Sequence, residues 1–278
     1  MITTLLATVA AVGWGAADYC GARASRAMPA GRVVLLSQVL SLPVLAGWLA
    51  ATAGPGPDLT ALAWGCAAGA FGVLGLVLLY RTLAAEGIVL VAPVTAVTAA
   101  VVPLAVGLAL QSAPGPIALC GVCCALLSIA LVSLVGRVRR TTVALRTLLL
   151  ALATGAALGL QLVLISHPGP EAGLWPLAGA RAVSIVCVAP GALRGRPRTD
   201  GTALPWLPVV LSGVLDTAAF AFCLFAADQG LLSVVGSIVS LYPAATVVLA
   251  LVLDGERVTA HQALGLFLGA GALLLVSV

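Results

Sequence analysis

Long uncharged apolar runs, separated by short polar punctuation rich in Pro and Gly, dominate the chain. They predict ten helices near residues 2–20, 30–52, 60–80, 87–110, 116–135, 146–166, 174–193, 204–226, 230–253 and 259–278. The separators carry turn chemistry: Gly54-Pro55-Gly56-Pro57-Asp58, Ser112-Ala113-Pro114-Gly115-Pro116, His167-Pro168-Gly169-Pro170-Glu171 and Arg196-Pro197-Arg198. Each run is close to the about 20 apolar residues that cross a hydrocarbon core. The alternation of about ten residues that marks a membrane β-barrel strand is absent. The pattern therefore predicts an all-α integral membrane protein of ten spans, numbered here 1 to 10.

Composition strengthens this reading. Of 278 residues, 62% are hydrophobic and 8% charged, against about 25% charged in soluble domains, and the mean hydropathy is +1.20. Ten spans leave room for short loops only, which excludes a water-soluble catalytic domain hung on an anchor. All 13 basic residues are Arg. They gather in loops, so the net charge of +4 speaks to orientation and not to nucleic acid. A cleaved signal peptide would open with a basic segment, whereas the first Arg here is Arg23, so residues 2–20 are read as span 1.

The Arg residues alternate from loop to loop. Arg23, Arg26 and Arg32 follow span 1, Arg81 follows span 3, and Arg137, Arg139, Arg140 and Arg146 follow span 5. Arg194, Arg196 and Arg198 follow span 7, and Arg257 follows span 9. The connections after even-numbered spans hold none. By the positive-inside rule the odd connections are cytoplasmic, which places a multi-pass protein in the cell membrane with both termini outside.

The two halves echo each other. Ala84-Ala85-Glu86-Gly87 recurs as Ala227-Asp228-Gln229-Gly230, 143 residues on; Trp64 and Trp206 are 142 apart, Gly121 and Gly265 144, and Arg32 and Arg181 149. Two units are expected, residues 1–140 and 141–278, each of five helices. Because five is odd, the second copy enters the membrane from the opposite side, giving an inverted repeat.

Trp14-Gly15 in span 1, Arg32 and Arg181 near the starts of spans 2 and 7, and Pro93 and Pro243 in spans 4 and 9 occur in a recognisable order. Glu256 before span 10 and Gly265, Gly269 and Gly271 within it complete the set. In these features the chain resembles the ten-helix EamA-type members of the drug/metabolite transporter superfamily. The resemblance implies a secondary transporter working by alternating access, with a cavity lined mainly by spans 1, 3, 4, 6, 8 and 9 and with spans 5 and 10 peripheral. Members of that superfamily are often placed with both termini in the cytoplasm, the opposite of what the Arg pattern indicates.

Asp216, near the middle of span 8, is the most informative residue, since translocon scales assign an ionised Asp there about +2.5 to +3.5 kcal/mol. It is expected to exchange a proton or meet a substrate as the cavity opens to each side, or else to be clipped permanently to a neighbour. Arg181 is the natural neighbour: it lies about 10 Å inside span 7 and Asp216 about 18 Å from the other face, nearly one depth in a core of about 30 Å. Arg181 could alternatively hold an anionic group through its planar fork, or snorkel to the interface. Asp18 is read as a cavity residue or, more blandly, as an interfacial charge facing Arg23. Trp14 and Tyr242 are candidates for a cavity wall, whereas Tyr80 better suits interface anchoring. Gln161, in span 6 beside Gly155 and Gly159, serves interhelical hydrogen bonding or substrate contact. Pro93 and Pro103 in span 4 and Pro243 in span 9 predict matching breaks. Thr95, Thr98, Ser237 and Ser240 would there either contact a ligand or patch the kinks. Cys120, Cys123 and Cys124 share a face, but with only His167 and His261 in the chain they suggest apolar packing and not a metal. No metal or cofactor is expected.

An enzyme would need clustered acids, a membrane-embedded Ser–His pair or an HExxH helix, none of which occurs. A channel would need a polar stripe or filter. What remains is a transporter of a small metabolite or drug-like molecule, coupled to protons and working as exporter or exchanger. The alternative is a flippase for a lipid or lipid-linked phosphate on the same fold. The partners are then a small-molecule substrate and membrane lipids, with no nucleic acid, and the reading leaves room for a homodimer. The Arg alternation makes one prediction directly: a C-terminal reporter active only in the cytoplasm should be silent, and one inserted after Arg140 active. The reverse pattern would overturn the topology.

Overall fold

The computed structural model describes residues 2–51, 58–86, 88–111, 114–133, 145–194, 206–254 and 259–277, with side chains throughout except at 79–86, 88–93, 194, 276 and 277. Tyr80, Arg81 and Pro93 therefore contribute no side-chain observation, and Arg137, Arg139, Arg140, Arg196, Arg198, Glu256 and Arg257 lie outside the described residues. Eleven helices form: α1 (Ile2–Ser25), α2 (Ala30–Ala51), α3 (Leu59–Glu86), α4 (Ile88–Leu110), α5 (Pro116–Val132), α6 (Leu145–Ser166), α7 (Trp175–Arg194), α8 (Trp206–Gln229), α9 (Leu232–Val239), α10 (Tyr242–Leu253) and α11 (Ala260–Ser277). α9 and α10 are the two pieces of span 9, and α11 is span 10. Among the described residues there is no strand.

α1, α3 and α8 continue past the predicted ends at 20, 80 and 226, because apolarity stops at the first charge whereas a helix at the membrane surface runs on through polar turns. Seven spans are long and apolar enough to cross a bilayer, and the other three hold shorter apolar stretches. Leu5, Val186, Phe267 and Leu274 are exposed and face outward, as lipid contact requires. The chain is a multi-pass, all-α membrane protein.

Helix pairing has a two-fold logic. α1 packs on α8 as α3 packs on α6; α4 packs on α6 as α1 packs on α9 and α10; α3 packs on α7 as α2 packs on α8. α2 with α7, α4 with α9 and α5 with α11 complete the main contacts. Advancing every span number by five maps this set onto itself. Glycines set the register. A Cβ on Gly15 would lie 2.5 Å from the Ala245 Cβ and 2.7 Å from the Tyr242 carbonyl oxygen. On Gly159 it would lie 2.6 Å from the Val102 Cβ and 2.7 Å from the Ala99 carbonyl oxygen. The two triplets correspond position by position at offsets of 143 and 144. Gly69 against the backbone of Ala180 and Gly213 against that of Ser37 form a second matched pair.

This register corrects one sequence pairing. Arg181 corresponds to Gln38 and not to Arg32, which sits in the first turn of α2 and donates from Nε to the Ala192 carbonyl near the end of α7, 3.1 Å away. The expected matching breaks also differ. Span 9 divides at Ser240-Leu241, with Pro243 in the first turn of α10, but α4 runs unbroken through Pro103. Pro103 has no N–H for the carbonyl of Ala99, and that freed oxygen is covered by the bare Cα of Gly159. Cys120 and Cys123 are exposed on α5 and not packed in the bundle, while Cys124 is half-buried.

At the end of the bundle that carries the chain termini, two buried clusters close the interior. One includes Leu45, Ile165, Leu174, Leu177 and Leu224; the other includes Ala7, Ala10, Ala226, Val235 and Ile238. At the opposite end Tyr19, Arg23 and Arg26 of α1 meet Asp254 after α10: the Tyr19 hydroxyl donates to Asp254 Oδ1 at 2.9 Å, and Arg23 approaches the same oxygen at 3.3 Å.

If glycine contacts hold the seams, Gly69→Val and Gly213→Val should each destabilise the protein by about 1–3 kcal/mol or more through overpacking. Gly271→Val, with open space around its Cα, should change little. Melting of detergent-solubilised protein followed by size-exclusion chromatography checks this, and equal behaviour of all three would count against the seams.

Candidate functional site

Between the seams lies a cavity of about 510 Å³, walled by α1, α2, α3, α4, α6, α7, α8 and the α9–α10 junction. No lining residue comes from α5 or α11. The wall thus extends beyond the expected spans 1, 3, 4, 6, 8 and 9, because α2 brings Ser37 and Gln38 and α7 brings Arg181 and Ser184.

Its charged centre is the pair foreseen at equal depth. Arg181 Nη2 donates to Asp216 Oδ2 and also to Thr217 Oγ1 at 3.2 Å. The other carboxylate oxygen, Oδ1, accepts from Trp14 Nε1 at 2.9 Å. The guanidinium carbon stands 5.5 Å from the centre of the Phe220 ring, against which Trp14 packs edge-on at 4.6 Å. One carboxylate is therefore held by a cation from α7 and an indole N–H from α1, with cation–π support from its own helix one turn on. The Arg181 side chain is 7% exposed and that of Asp216 28%, so the carboxylate is the member that meets the cavity. Arg181 Nε is buried and has no hydrogen-bond partner, as is Gln38 Oε1.

The remaining sequence candidates divide. Gln161, Ser240, Tyr242 and Asp18 line the cavity with Trp14, Arg181 and Asp216. Thr95, Thr98 and Ser237 do not. Thr95 Oγ1 donates to the Ala151 carbonyl at 3.3 Å across the α4–α6 seam. Thr98 and Ser237 bond back to the carbonyls of Val94 and Ser233, each at 2.7 Å. Ser240 likewise bonds to Gly236 at 2.7 Å while keeping its place on the wall. Asp18 does not face Arg23: residues 14 and 18 share one face of α1, whereas 19, 23 and 26 share another, and Arg23 is engaged by Asp254 and Tyr19.

Sequence reasoning overlooked Gln38, Ser184, Ser212, Thr217 and Phe220. For two of them a signal existed: Phe220 lies one turn from Asp216, and Gln38 stands 143 residues before Arg181. That offset extends around the wall. Trp14 corresponds to Leu158, Asp18 to Leu162, Gln38 to Arg181, Gly72 to Asp216, Leu76 to Phe220 and Ala99 to Tyr242, and every one of these residues lines the cavity.

Breaking a buried ion pair costs about 3–5 kcal/mol, toward the lower end here because Asp216 keeps 28% exposure. Arg181→Gln or Asp216→Asn alone should lower the melting temperature of the purified protein, and the double variant should recover most of the loss. A neutral Arg181→Gln would show that the pair carries no stability.

Comparisons with known proteins place this geometry. Residues 145–278 match the EamA-like transporter family. A solved chain described only as "Crystal structure of protein" superposes with a TM-score of 0.77 at 17% identity, covering 99% of this chain and 96% of the other, and so shares its fold. No curated protein matches the sequence. Over residues 145–278, just under half of its length, the chain is similar to the EamA-like transporter family, a family of membrane transporters of the drug/metabolite type.

Proposed function

We propose that the protein is a secondary active transporter that moves a small metabolite or drug-like molecule across the cytoplasmic membrane by alternating access, with proton coupling. The supporting observation is the cavity itself, built from corresponding positions of the two halves around a buried Arg181–Asp216 pair. Its size falls within the about 300–1,000 Å³ typical of small-molecule sites. Residues 1–140 and 141–278 would rock as units about the α1–α8 and α3–α6 contacts. With the end that carries the termini closed by its two apolar clusters, and that end outside by the Arg pattern, the conformation is the one open to the cytoplasm.

A lipid-phosphate flippase is less well supported. Its phosphate would need a free cation, whereas the only Arg on the described wall is already bound to Asp216. Purified protein in liposomes, given a pH gradient and labelled amino acids, organic cations or isoprenoid phosphates, tests the proposal. Gradient-driven movement of a small solute is expected; movement of the isoprenoid phosphate alone would favour the flippase.

Access can be read independently. In a background without native Cys, Ala99→Cys and Ser240→Cys, on opposite halves of the wall, should react with an impermeant thiol reagent from the Arg-bearing side and be protected by substrate. Thr98→Cys, turned into the α4–α6 seam, should not react. Labelling at 98 without labelling at 99 and 240 would place the pathway elsewhere.

A further inference from the structure

Three charged side chains face the cavity, and two satisfy each other. Asp18 is the third. Among the described residues it makes no hydrogen bond and no ion pair, and it is exposed to the cavity. It sits one helical turn from Trp14, toward the Arg-bearing end. The nearest cations are engaged: Arg23 with Asp254 and Arg181 with Asp216. The titratable groups that share its surroundings are Asp216 from α8 and Tyr242 from α10; α2, α9 and α11 present none to the cavity. With both carboxylates ionised the described wall carries one uncompensated negative charge.

The two-fold register shows what this charge controls. Leu162, the counterpart of Asp18, lies on the cavity wall and packs against both apolar clusters that close the opposite end. If the halves exchange conformations, Asp18 must enter the packed position that Leu162 occupies here. An ionised carboxylate without a partner is not tolerated in such a place. Asp216 is not in this situation, since Arg181 belongs to the same half and travels with it.

We infer that Asp18 is the cavity's exchangeable site for a single positive charge, a proton or the ammonium group of a substrate, and that the Arg-bearing end closes only when that site is filled. The inference rests on the transporter reading for the closed state it invokes, while cation binding at Asp18 does not depend on which solute moves. Binding involves no covalent change beyond protonation of the carboxylate, or formation of an ion pair with the ammonium.

The test uses detergent-solubilised full-length protein with Ser240→Cys as the one thiol, its labelling normalised at each pH to that of the same protein unfolded in SDS. With Asp18 present, normalised labelling should fall about tenfold from about pH 8.5 to about pH 5.5 as the end closes. Asp18→Asn should hold it low at every pH. If Asp18→Asn is poorly folded, Asp18→Glu should keep the response with a displaced midpoint. At the alkaline pH, ethylammonium chloride separates the two charge sources: protection by it, but not by ethanol, identifies an ammonium site, and absence of protection identifies a proton site. A pH response that survives in Asp18→Asn, or has an unmoved midpoint in Asp18→Glu, overturns the inference. Solute transport in liposomes is scored separately. Its absence alongside an Asp18-dependent closure removes the transporter reading and leaves the cation site standing.

Discussion

Helices in lipid gain no hydrophobic energy by touching one another, so what holds this bundle together is close backbone approach where side chains are missing. Gly15 against Tyr242 and Ala245, Gly159 against Ala99 and Val102, Gly69 against Ala180 and Gly213 against Ser37 are such approaches. Each joins a helix of one half to a helix of the other or locks a helix in its register. Larger residues are then displaced to the space between the seams, which they cannot fill, and the cavity is that remainder. The same economy explains Pro103: the carbonyl it frees is covered only because α6 offers Gly159 at that point.

A cavity inside hydrocarbon is also the one place where charge can be kept. Asp216 is there because one oxygen receives Arg181 and the other the Trp14 indole, so the ion is solvated by protein groups from two other helices. Those helices are thereby tied to the wall: moving α1 away from α8 removes a hydrogen bond from a buried carboxylate. The cluster of Tyr19, Arg23, Arg26 and Asp254 is the contrasting case, placed at the membrane surface where water shares the load and individual ion pairs are worth little. Among the described residues α1 thus meets a carboxylate of the second half at two places, one deep and one at the surface.

How much of this was legible in the sequence follows from which physical signal carries each feature. Span positions were legible because twenty apolar residues in a row have few other uses, and the Arg181–Asp216 pair was legible because depth follows from helical rise. The break in span 9 was also visible at Pro243. Side-chain direction was not. Asp18 stood open between a cavity residue and an interfacial charge facing Arg23, although the helical repeat puts 14 and 18 on one face and 19 and 23 on another, which the spacing already contained. Thr95 and Thr98 looked functional because they flank a proline, but α6 crosses at Gly155 and turns them into a seam. Arg32 and Arg181 looked equivalent because each lies near the head of a helix, and only the glycine register separates them. Gln38 carries no charge and sits in an ordinary apolar run, so nothing short of the correct offset singles it out.

The wall shares its frame between the halves and divides its chemistry unequally. The first half offers Trp14 and Asp18 where the second offers Leu158 and Leu162, and the second offers Arg181, Asp216, Phe220 and Tyr242 where the first offers Gln38, Gly72, Leu76 and Ala99. Under the proposed alternating access, a two-fold frame would supply two closures of the same construction, since each seam has a counterpart. A solute has no such symmetry, and a wall that had it would offer every group twice, with two carboxylates and two cations too close to be held apart. Replacing one member of each pair by Gly, Ala, Leu or the uncharged Gln removes that conflict while leaving the backbone contacts untouched. In that mechanism the asymmetry would also bias the two closures, because an apolar residue packs unconditionally where its charged counterpart must first be neutralised. On the proposed mechanism, a symmetric scaffold with one charged and one apolar member at the same position would be enough to make closure at one end depend on what the cavity has bound.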